Sequence, residues 1–151
     1  MRYIIGSDHA GVHLKKVLAE HLQSKGEEAE MIGSCDPLDR VDYPDAVDAV
    51  VKQLLDQNCE GVMGILVCGS GIGVSIRANR YKGIRAALVY DAHTAASAKE
   101  HTNANILCFG ERLISKEDAC KYMDIFMSKS YEGGRHDIRL EKCDAPCVNQ
   151  D

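Results

Sequence analysis

Hydrophobic residues recur along the chain with two different spacings, which predict alternating strands and helices. Short apolar runs predict five strands, at Arg2–Ile5, Glu28–Ile32, Met63–Val67, Arg85–Val89 and Ile106–Phe109. Longer stretches with helical spacing predict helices at Gly11–Lys25, around Pro44, up to Asn79, at Asp91–Glu100 and after Ser115. The third run is apolar throughout, as is typical of a central parallel strand that helices cover on both faces.

This alternation predicts an α/β protein with a parallel sheet. The chain has 151 residues, which suffice for one domain. In such sheets, ligands bind beyond the carboxyl ends of the strands. Two loops lie at such ends, Ser7–His9 after the first strand and Cys68–Gly73 after the third. Residues in these loops are therefore the first candidates for a functional site.

Composition and charge exclude several classes of protein. The formal net charge of −5 lacks the positive footprint of a nucleic-acid-binding protein. The longest apolar run, Ile65–Cys68, is too short to span a membrane, and the N-terminal apolar stretch is too short for an export signal. Seven cysteines without a Cys-x-x-Cys pair indicate reduced thiols rather than a zinc or thioredoxin-type site, so we expect a cytoplasmic protein.

The Gly-rich loop after the third strand contains Gly69, Gly71 and Gly73, which let the backbone approach a ligand closely. Its N–H groups and the N-terminus of the next helix predict an anion-binding loop. A dinucleotide site is one alternative, with Asp91 as the ribose-binding acid, although Val74 stands where that fingerprint has its third glycine. A tight strand-to-helix turn without a ligand is another.

Cys68 ends the third strand directly before this loop, where a helix N-terminus would stabilise a thiolate. A thiolate there can act as a nucleophile or as a general base. The alternative is a small buried side chain, which is the usual role of a free cysteine. We expect four other cysteines to be buried, namely Cys35, Cys59, Cys108 and Cys120. Two cysteines in the polar tail, Cys143 and Cys147, are expected to be exposed.

Polar residues elsewhere could complete a site. Asp8 and His9 follow the first strand, and no third ligand accompanies His9 and His13, so a metal is not indicated. His101 precedes the fifth strand and is expected at the opposite edge of the sheet from Cys68. The simplest geometry for a site containing both takes His101 from a second subunit, unless the loop at 101–105 folds back within one chain. The alternative role of His101 is a polar helix end.

A compact cationic cluster follows Gly133 and Gly134 on this acidic protein. Arg135 and Arg139 are four residues apart and share one face if the segment is helical, with His136 beside them. Arginine forks suit phosphate, so the cluster predicts an anionic ligand. A solvated charged helix is the alternative.

Six motifs in combination resemble the B-type ribose-5-phosphate isomerases, a family that also contains bacterial galactose-6-phosphate and allose-6-phosphate isomerases. The motifs are Ile5–Gly11, Asp42–Asp45, Leu66–Gly73, Gly83–Ala87, Glu100–His101 with Asn103–Asn105, and Gly133–His136 with Arg139. The resemblance implies a Rossmann-like three-layer sandwich with a five-stranded parallel sheet, a C-terminal helix and a tail. It implies a single sugar-phosphate isomerase domain over residues 1–140, whereas the tail, 141–151, has no assigned role.

The resemblance also implies a reaction and an assembly. D-Ribose 5-phosphate and D-ribulose 5-phosphate would interconvert through ring opening and a cis-enediolate, in the non-oxidative pentose phosphate pathway. No metal or other cofactor is implied, and the only small-molecule partner is a sugar phosphate. The chain would form a homodimer or a tetramer, with each active site shared between subunits and with no nucleic acid or membrane as partner.

Residue roles follow from the same resemblance. His101 would open the furanose ring with Asp8 assisting, Cys68 would move a proton between carbons 2 and 1, and Ser70 would help the loop backbone to hold the enediolate. The implied substrate-binding residues are His9, Tyr43, Gly69, Gly71, Gly73, Thr102, Asn103, Arg112, Arg135, His136 and Arg139. The family binds the phosphate at basic residues rather than in the Gly-rich loop, and these correspond to His9, Arg112, Arg135 and Arg139.

One departure and two alternatives stay open. Thr102 stands where the family usually has Asn, so either Thr102 or Asn103 is expected to contact a substrate hydroxyl. A hexose 6-phosphate isomerase, acting on allose or galactose 6-phosphate, would use the same residues on a longer sugar. A non-catalytic module that binds a sugar phosphate or a nucleotide would need neither the thiol of Cys68 nor His101.

Overall fold

A computed structural model describes residues 1–147, in which five parallel strands form one sheet between two layers of helices. The strands are β1 (Arg2–Ser7), β2 (Glu28–Gly33), β3 (Val62–Cys68), β4 (Ala86–Leu88) and β5 (Ile106–Gly110). The helices are α1 (Val12–Ser24), α2 (Tyr43–Leu55), α3 (Ile72–Ala78), α4 (Ala92–Glu100), α5 (Lys116–Ser128) and α6 (Arg135–Asp144). The predicted α/β class and parallel sheet are confirmed, and α6 continues past the expected domain end at residue 140.

The two faces of the sheet carry different helices because successive strand residues point to opposite sides. Ile5 packs with Leu18 of α1 and Phe126 of α5, on the face that α4 also covers. Ile4 packs on the other face, with Val50 of α2 and with α3. None of the helices within residues 1–147 is long and apolar enough to cross a membrane.

Strand order decides where the site lies. The order across the sheet is β2-β1-β3-β5-β4, so the chain leaves β1 on one side and returns to β3 on the other. Ser7 is paired with Val67, which places the carboxyl ends of β1 and β3 side by side. Ligands of open α/β sheets bind at such a switch point. The loops that follow β1 and β3 therefore lie where the sequence predicted the site.

Some boundaries and burials differ from the prediction. β4 is one residue shorter than expected at each end. At its start, the Arg85 N–H donates to Asn105 Oδ1 at 2.8 Å, although the Arg85 carbonyl accepts the Ile106 N–H of β5 at 3.2 Å. The prediction of a buried Cys35 is wrong, since this residue lies exposed in the loop after β2. Cys108 is buried as expected, Cys59 and Cys120 are half-buried, and Cys143 and Cys147 are exposed as expected. Residues 148–151 of the predicted tail lie outside the described residues.

Lys15 is a buried side chain that hydrophobic spacing did not predict. It lies on the same face of α1 as Leu14 and Leu18, and is 1% exposed. Its Nζ donates to the Ile32 carbonyl at 2.8 Å and to the Ser34 carbonyl. Burial lowers the pKa of the Lys15 ammonium. The ammonium thus ties α1 to the end of β2 and to the loop that follows it, through acceptors that belong to the backbone.

Candidate active site

Two polar residues follow β1, and backbone groups hold both of them. Asp8 is buried, and its Oδ1 accepts the Ala10 N–H at 2.9 Å. This cap begins the short 3-10 turn His9–Gly11. The ring of His9 accepts the Val41 N–H at Nδ1, over 3.3 Å, so the neutral ring carries its proton on Nε2. His9 is therefore able to donate a hydrogen bond to an anion.

Cys68 lies beside this turn with its sulfur hydrogen-bonded to the Gly-rich loop. The side chain is 5% exposed, and Sγ accepts the Gly71 N–H at 3.1 Å. Gly71 has a φ of +78°, a conformation that favours glycine and that aims this N–H at the sulfur. Ser70 Oγ accepts the Ile72 N–H at 3.2 Å. Cys108 packs in the same layer, where burial raises the pKa of its thiol.

Tyr43 and Arg112 lie over the Gly-rich loop. A Cβ at Gly73 would lie 2.6 Å from Tyr43 Cζ, so only glycine allows this approach. The Arg112 N–H donates to the Gly69 carbonyl at 3.0 Å, and its guanidinium lies against the same glycine. The carboxyl-edge cluster, as we name it, consists of Asp8, His9, Tyr43, Cys68–Gly73 and Arg112.

Glu111 supports this cluster and was missed from the sequence. Its N–H donates to the Cys68 carbonyl at 2.9 Å. Its Oε2 accepts the Leu14 N–H at 3.0 Å, which caps the first turn of α1. Because 97 residues separate Glu111 from Leu14, no local pattern could reveal the contact.

His101 lies at the amino edge of the sheet, which confirms the placement expected from the sequence. It ends α4, with its N–H donating to the Ser97 carbonyl at 3.0 Å. The Asn105 carbonyl accepts the Gly64 N–H at 2.9 Å, near the start of β3. Cys68 lies four residues beyond Gly64 along β3, which is roughly 13 Å from Gly64 at the usual rise of a strand. His101 and Cys68 of one chain therefore belong to opposite edges.

The second group of predicted residues gathers around His101. Its ring stacks on that of His136, with centroids 4.5 Å apart and an angle of 18° between the planes. His136 Nε2 lies 3.3 Å from Glu132 Oε2 and 3.3 Å from Arg135 Nε. Arg139 follows Arg135 by one turn of α6, so the expected helical pairing is confirmed. We name His101, Glu132, Arg135, His136 and Arg139 the amino-edge cluster.

Arg85 holds the segment after His101 in place, a role that the sequence did not reveal. Its Nε donates to the Thr102 carbonyl at 2.9 Å and its Nη2 to the Asn103 carbonyl at 3.2 Å. Its Nη1 forms an ion pair with Asp144 of α6 at 2.9 Å. One guanidinium thus connects the end of α4 with the C-terminal helix.

The two candidates for a substrate hydroxyl contact are engaged differently. The Thr102 hydroxyl donates to the Ala98 carbonyl at 2.8 Å, which closes the end of α4. Asn103 Oδ1 accepts the Lys99 ammonium at 2.9 Å. The Asn103 amide nitrogen still carries donor hydrogens, so Asn103 is the better placed donor of the two.

Two other kinds of ligand fit poorly. His101, Glu132 and His136 bring donor atoms within 4.8 Å of one another, a set that suits a transition metal. However, Arg135 Nε lies at the same nitrogen of His136 and places a positive charge where a cation would bind. Asp91, the acid of the dinucleotide alternative, caps α4 by accepting a backbone N–H at 2.7 Å.

Comparisons with known proteins agree with this arrangement. Residues 3–143 match the sequence model of the Ribose/Galactose Isomerase family. The chain is 41% identical over 138 residues to a probable ribose-5-phosphate isomerase B of Mycoplasma genitalium, covering 91% of this chain and 90% of that protein.

Solved structures give the same result. A ribose 5-phosphate isomerase from Thermotoga maritima superposes with a TM-score of 0.89 at 44% identity, covering 95% of this chain and 97% of that one. Ribose-5-phosphate isomerase B from Mycoplasma genitalium, with bound ribulose-5-phosphate, gives a TM-score of 0.89 at 39% identity, covering 95% and 93%. The chain therefore belongs to the Ribose/Galactose Isomerase family.

Proposed function

We propose that this chain is an aldose–ketose isomerase that interconverts D-ribose 5-phosphate and D-ribulose 5-phosphate. The observation that carries the proposal is the Cys68 sulfur, hydrogen-bonded to the Gly71 N–H at the switch point of the sheet. A relative with the same fold holds ribulose-5-phosphate in its crystal structure. The reaction is that of the non-oxidative pentose phosphate pathway, and we expect it to occur in the cytoplasm without a metal or cofactor.

Ring opening is the first step of the proposed reaction. The C1–O4 bond of the furanose breaks, O4 receives a proton, and the C1 hydroxyl loses one as the aldehyde forms. We assign the donation to His101. We assign the acceptance to Asp8, whose carboxylate is buried beside the Gly-rich loop.

Proton transfer between carbons is the second step, and we assign it to Cys68. The thiolate removes the proton from C2, and the electron pair moves through C1 to O1 to give a cis-enediolate. The proton on O2 passes to O1, and the thiol returns its proton to C1 as the C2 ketone forms. Ser70 and the N–H groups of Gly69–Gly73 hold the negative charge that develops on oxygen.

We further propose that the active unit is a homodimer in which the carboxyl-edge cluster of one chain meets the amino-edge cluster of its partner. The opposite placement of Cys68 and His101 in one chain supports this arrangement. Exposed apolar side chains beside both clusters support it too. Ile72 and Ile76 on α3 are 51% and 54% exposed, and Ile138 on α6 is 61% exposed. Two-fold symmetry would create two equal sites, and a tetramer of such dimers would keep them.

The substrate is tested directly by comparing sugars of different length. In the presence of a chelator, we expect kcat/KM for ribose 5-phosphate to exceed that for allose 6-phosphate or galactose 6-phosphate by about tenfold or more, because a fitted pocket discriminates against an extra carbon. The Cys68→Ala variant, purified in parallel, controls for a contaminating isomerase. Faster turnover of a hexose phosphate would assign the longer substrate, and no turnover of any sugar would contradict an enzymatic role.

The phosphate site gives a second prediction. We expect Arg135→Ala and Arg139→Ala each to raise KM for ribose 5-phosphate by about tenfold or more, with little change in kcat. The reason is that phosphate is bound equally before and during the reaction. Lys142→Ala, an exposed cation on the same helix, is the matched control and should be neutral. A normal KM in both arginine variants would move the phosphate elsewhere.

A further inference from the structure

His136 is arranged differently from the two arginines that flank it in the amino-edge cluster. Arg135 and Arg139 are exposed on α6, whereas His136 is 5% exposed. One face of its ring covers the ring of His101. A side chain that binds an entering phosphate needs an accessible N–H, whereas His136 directs its Nε2 to groups of its own segment.

Glu132 holds His136 and opposes an anion at the same position. Its Oε2 lies 3.3 Å from His136 Nε2, so a phosphate at this nitrogen would face a carboxylate. The Glu132 N–H donates to the Glu100 carbonyl at 3.0 Å, directly before His101. The Glu100 side chain pairs with Lys129 at 3.0 Å. The segment that carries Glu132 and His136 is therefore anchored to the end of α4, next to His101.

We propose that His136, held by Glu132, is a positioning residue that fixes the plane of the His101 ring for ring opening, and that it does not bind the substrate phosphate. This inference rests on the proposed function, in which His101 protonates O4. Stacking restricts the rotation of His101 about its side-chain bonds and keeps its nitrogen directed at one place. A catalytic group that is misplaced by about 1 Å can lose up to about a hundredfold in rate.

Kinetics in the two directions of the reaction distinguish a positioning role of His136 from a phosphate-binding role. Ribulose 5-phosphate carries its phosphate on O5 and its ketone at C2, so it forms no furanose ring and needs no ring opening. A fault in His101 therefore slows ribose 5-phosphate but not ribulose 5-phosphate at saturation. The equilibrium constant ties the two kcat/KM values together, so the signature lies in kcat. A second sign of a fault in ring opening is the rate with ribose 5-phosphate. This rate stops rising as more enzyme is added, once spontaneous ring opening in solution becomes limiting.

The experiment compares His136→Ala, His136→Phe and Glu132→Ala, with His101→Ala as the reference variant. We expect His136→Ala to lower kcat for ribose 5-phosphate by about tenfold and to leave kcat for ribulose 5-phosphate nearly unchanged. KM for ribose 5-phosphate should fall in proportion to its kcat, because the equilibrium constant fixes the ratio of the two kcat/KM values. His136→Phe retains a flat ring against His101 and should recover most of the loss. Glu132→Ala should show the same direction dependence with a smaller loss, and Glu141→Ala, an exposed acid on α6, should show none.

Other outcomes separate the hypotheses. A raised KM for both sugars, equal in His136→Ala and His136→Phe, would show a phosphate ligand and overturn the positioning role. If His101→Ala is direction-dependent but His136→Ala is not, only the positioning role fails. If His101→Ala shows no direction dependence, the assignment of His101 fails, and an inactive natural chain would overturn the proposed function itself. Because His136→Phe preserves the buried ring, the test does not depend on the folding of the alanine variant.

Discussion

Replacing Cys68 with alanine is expected to lower kcat for ribose 5-phosphate by about two to four orders of magnitude, with little change in KM. The sulfur is the group that we assign to move the proton, and its removal leaves in place the basic residues that we assign to the phosphate. Cys68→Ser should be nearly as slow, because a hydroxyl is a much weaker base than a thiolate even though its oxygen can still accept the Gly71 N–H. Steady-state kinetics give kcat, and calorimetry gives substrate affinity.

Two measurements sharpen this prediction. Cys120→Ala removes a half-buried thiol from the opposite face of the sheet and should retain normal kinetics. Exchange of the C2 hydrogen with deuterated solvent, followed by NMR, reports the proton transfer itself and should disappear in Cys68→Ala. Near-normal turnover or exchange in that variant would remove Cys68 from the mechanism, and another base at the carboxyl edge would have to be sought.

Mixing two impaired variants is expected to restore activity if each site is shared between chains. Cys68→Ala damages the carboxyl-edge cluster, and the double variant Arg135→Ala/Arg139→Ala damages the amino-edge cluster. A heterodimer of the two would contain one site with both faults and one intact site. After subunit exchange at equal concentrations, a statistical mixture should recover about a quarter of natural activity when assayed well below the KM of the double variant.

The matched control is a mixture of Cys68→Ala with Cys68→Ser, which cannot form an intact site under either arrangement. Differently tagged chains allow the heterodimer to be isolated and its formation to be verified by mass spectrometry. A verified heterodimer without activity would show that each site lies within one chain. The segment after α4 would then have to fold back across the sheet, against the hydrogen bonds that Arg85 makes with Thr102 and Asn103.

Much of this architecture is predictable from the sequence, because burial on both faces leaves a clear signal. The apolar run of β3 identified the central strand, and the glycines after it identified the loop that holds Cys68. The opposite placement of His101 followed from chain order alone, since His101 precedes its strand and Cys68 follows one. These inferences need only the direction of parallel strands, and the structure confirms them.

The supporting contacts could not be predicted, and the reason is physical. Lys15 is buried because two backbone carbonyls accept its hydrogens, and a sequence does not show where carbonyls converge. Arg85 likewise donates to carbonyls, and Glu111 caps a helix that lies far away in the chain. The stacking of His136 on His101 depends on how α6 returns to α4, which residue spacing does not encode.

The first turn of α1 supplies no group that we assign to the substrate, yet two supports of the carboxyl-edge cluster converge on it. Glu111 accepts the Leu14 N–H of this turn, and Lys15 donates to the Ser34 carbonyl in the loop that leads to Val41 and hence to His9. Local unfolding of this one turn would release both supports of the carboxyl-edge cluster while the sheet stayed intact. Activity can therefore be lost at a lower temperature or denaturant concentration than the one that unfolds the sheet. An intact sheet and an active site are distinct properties of this fold.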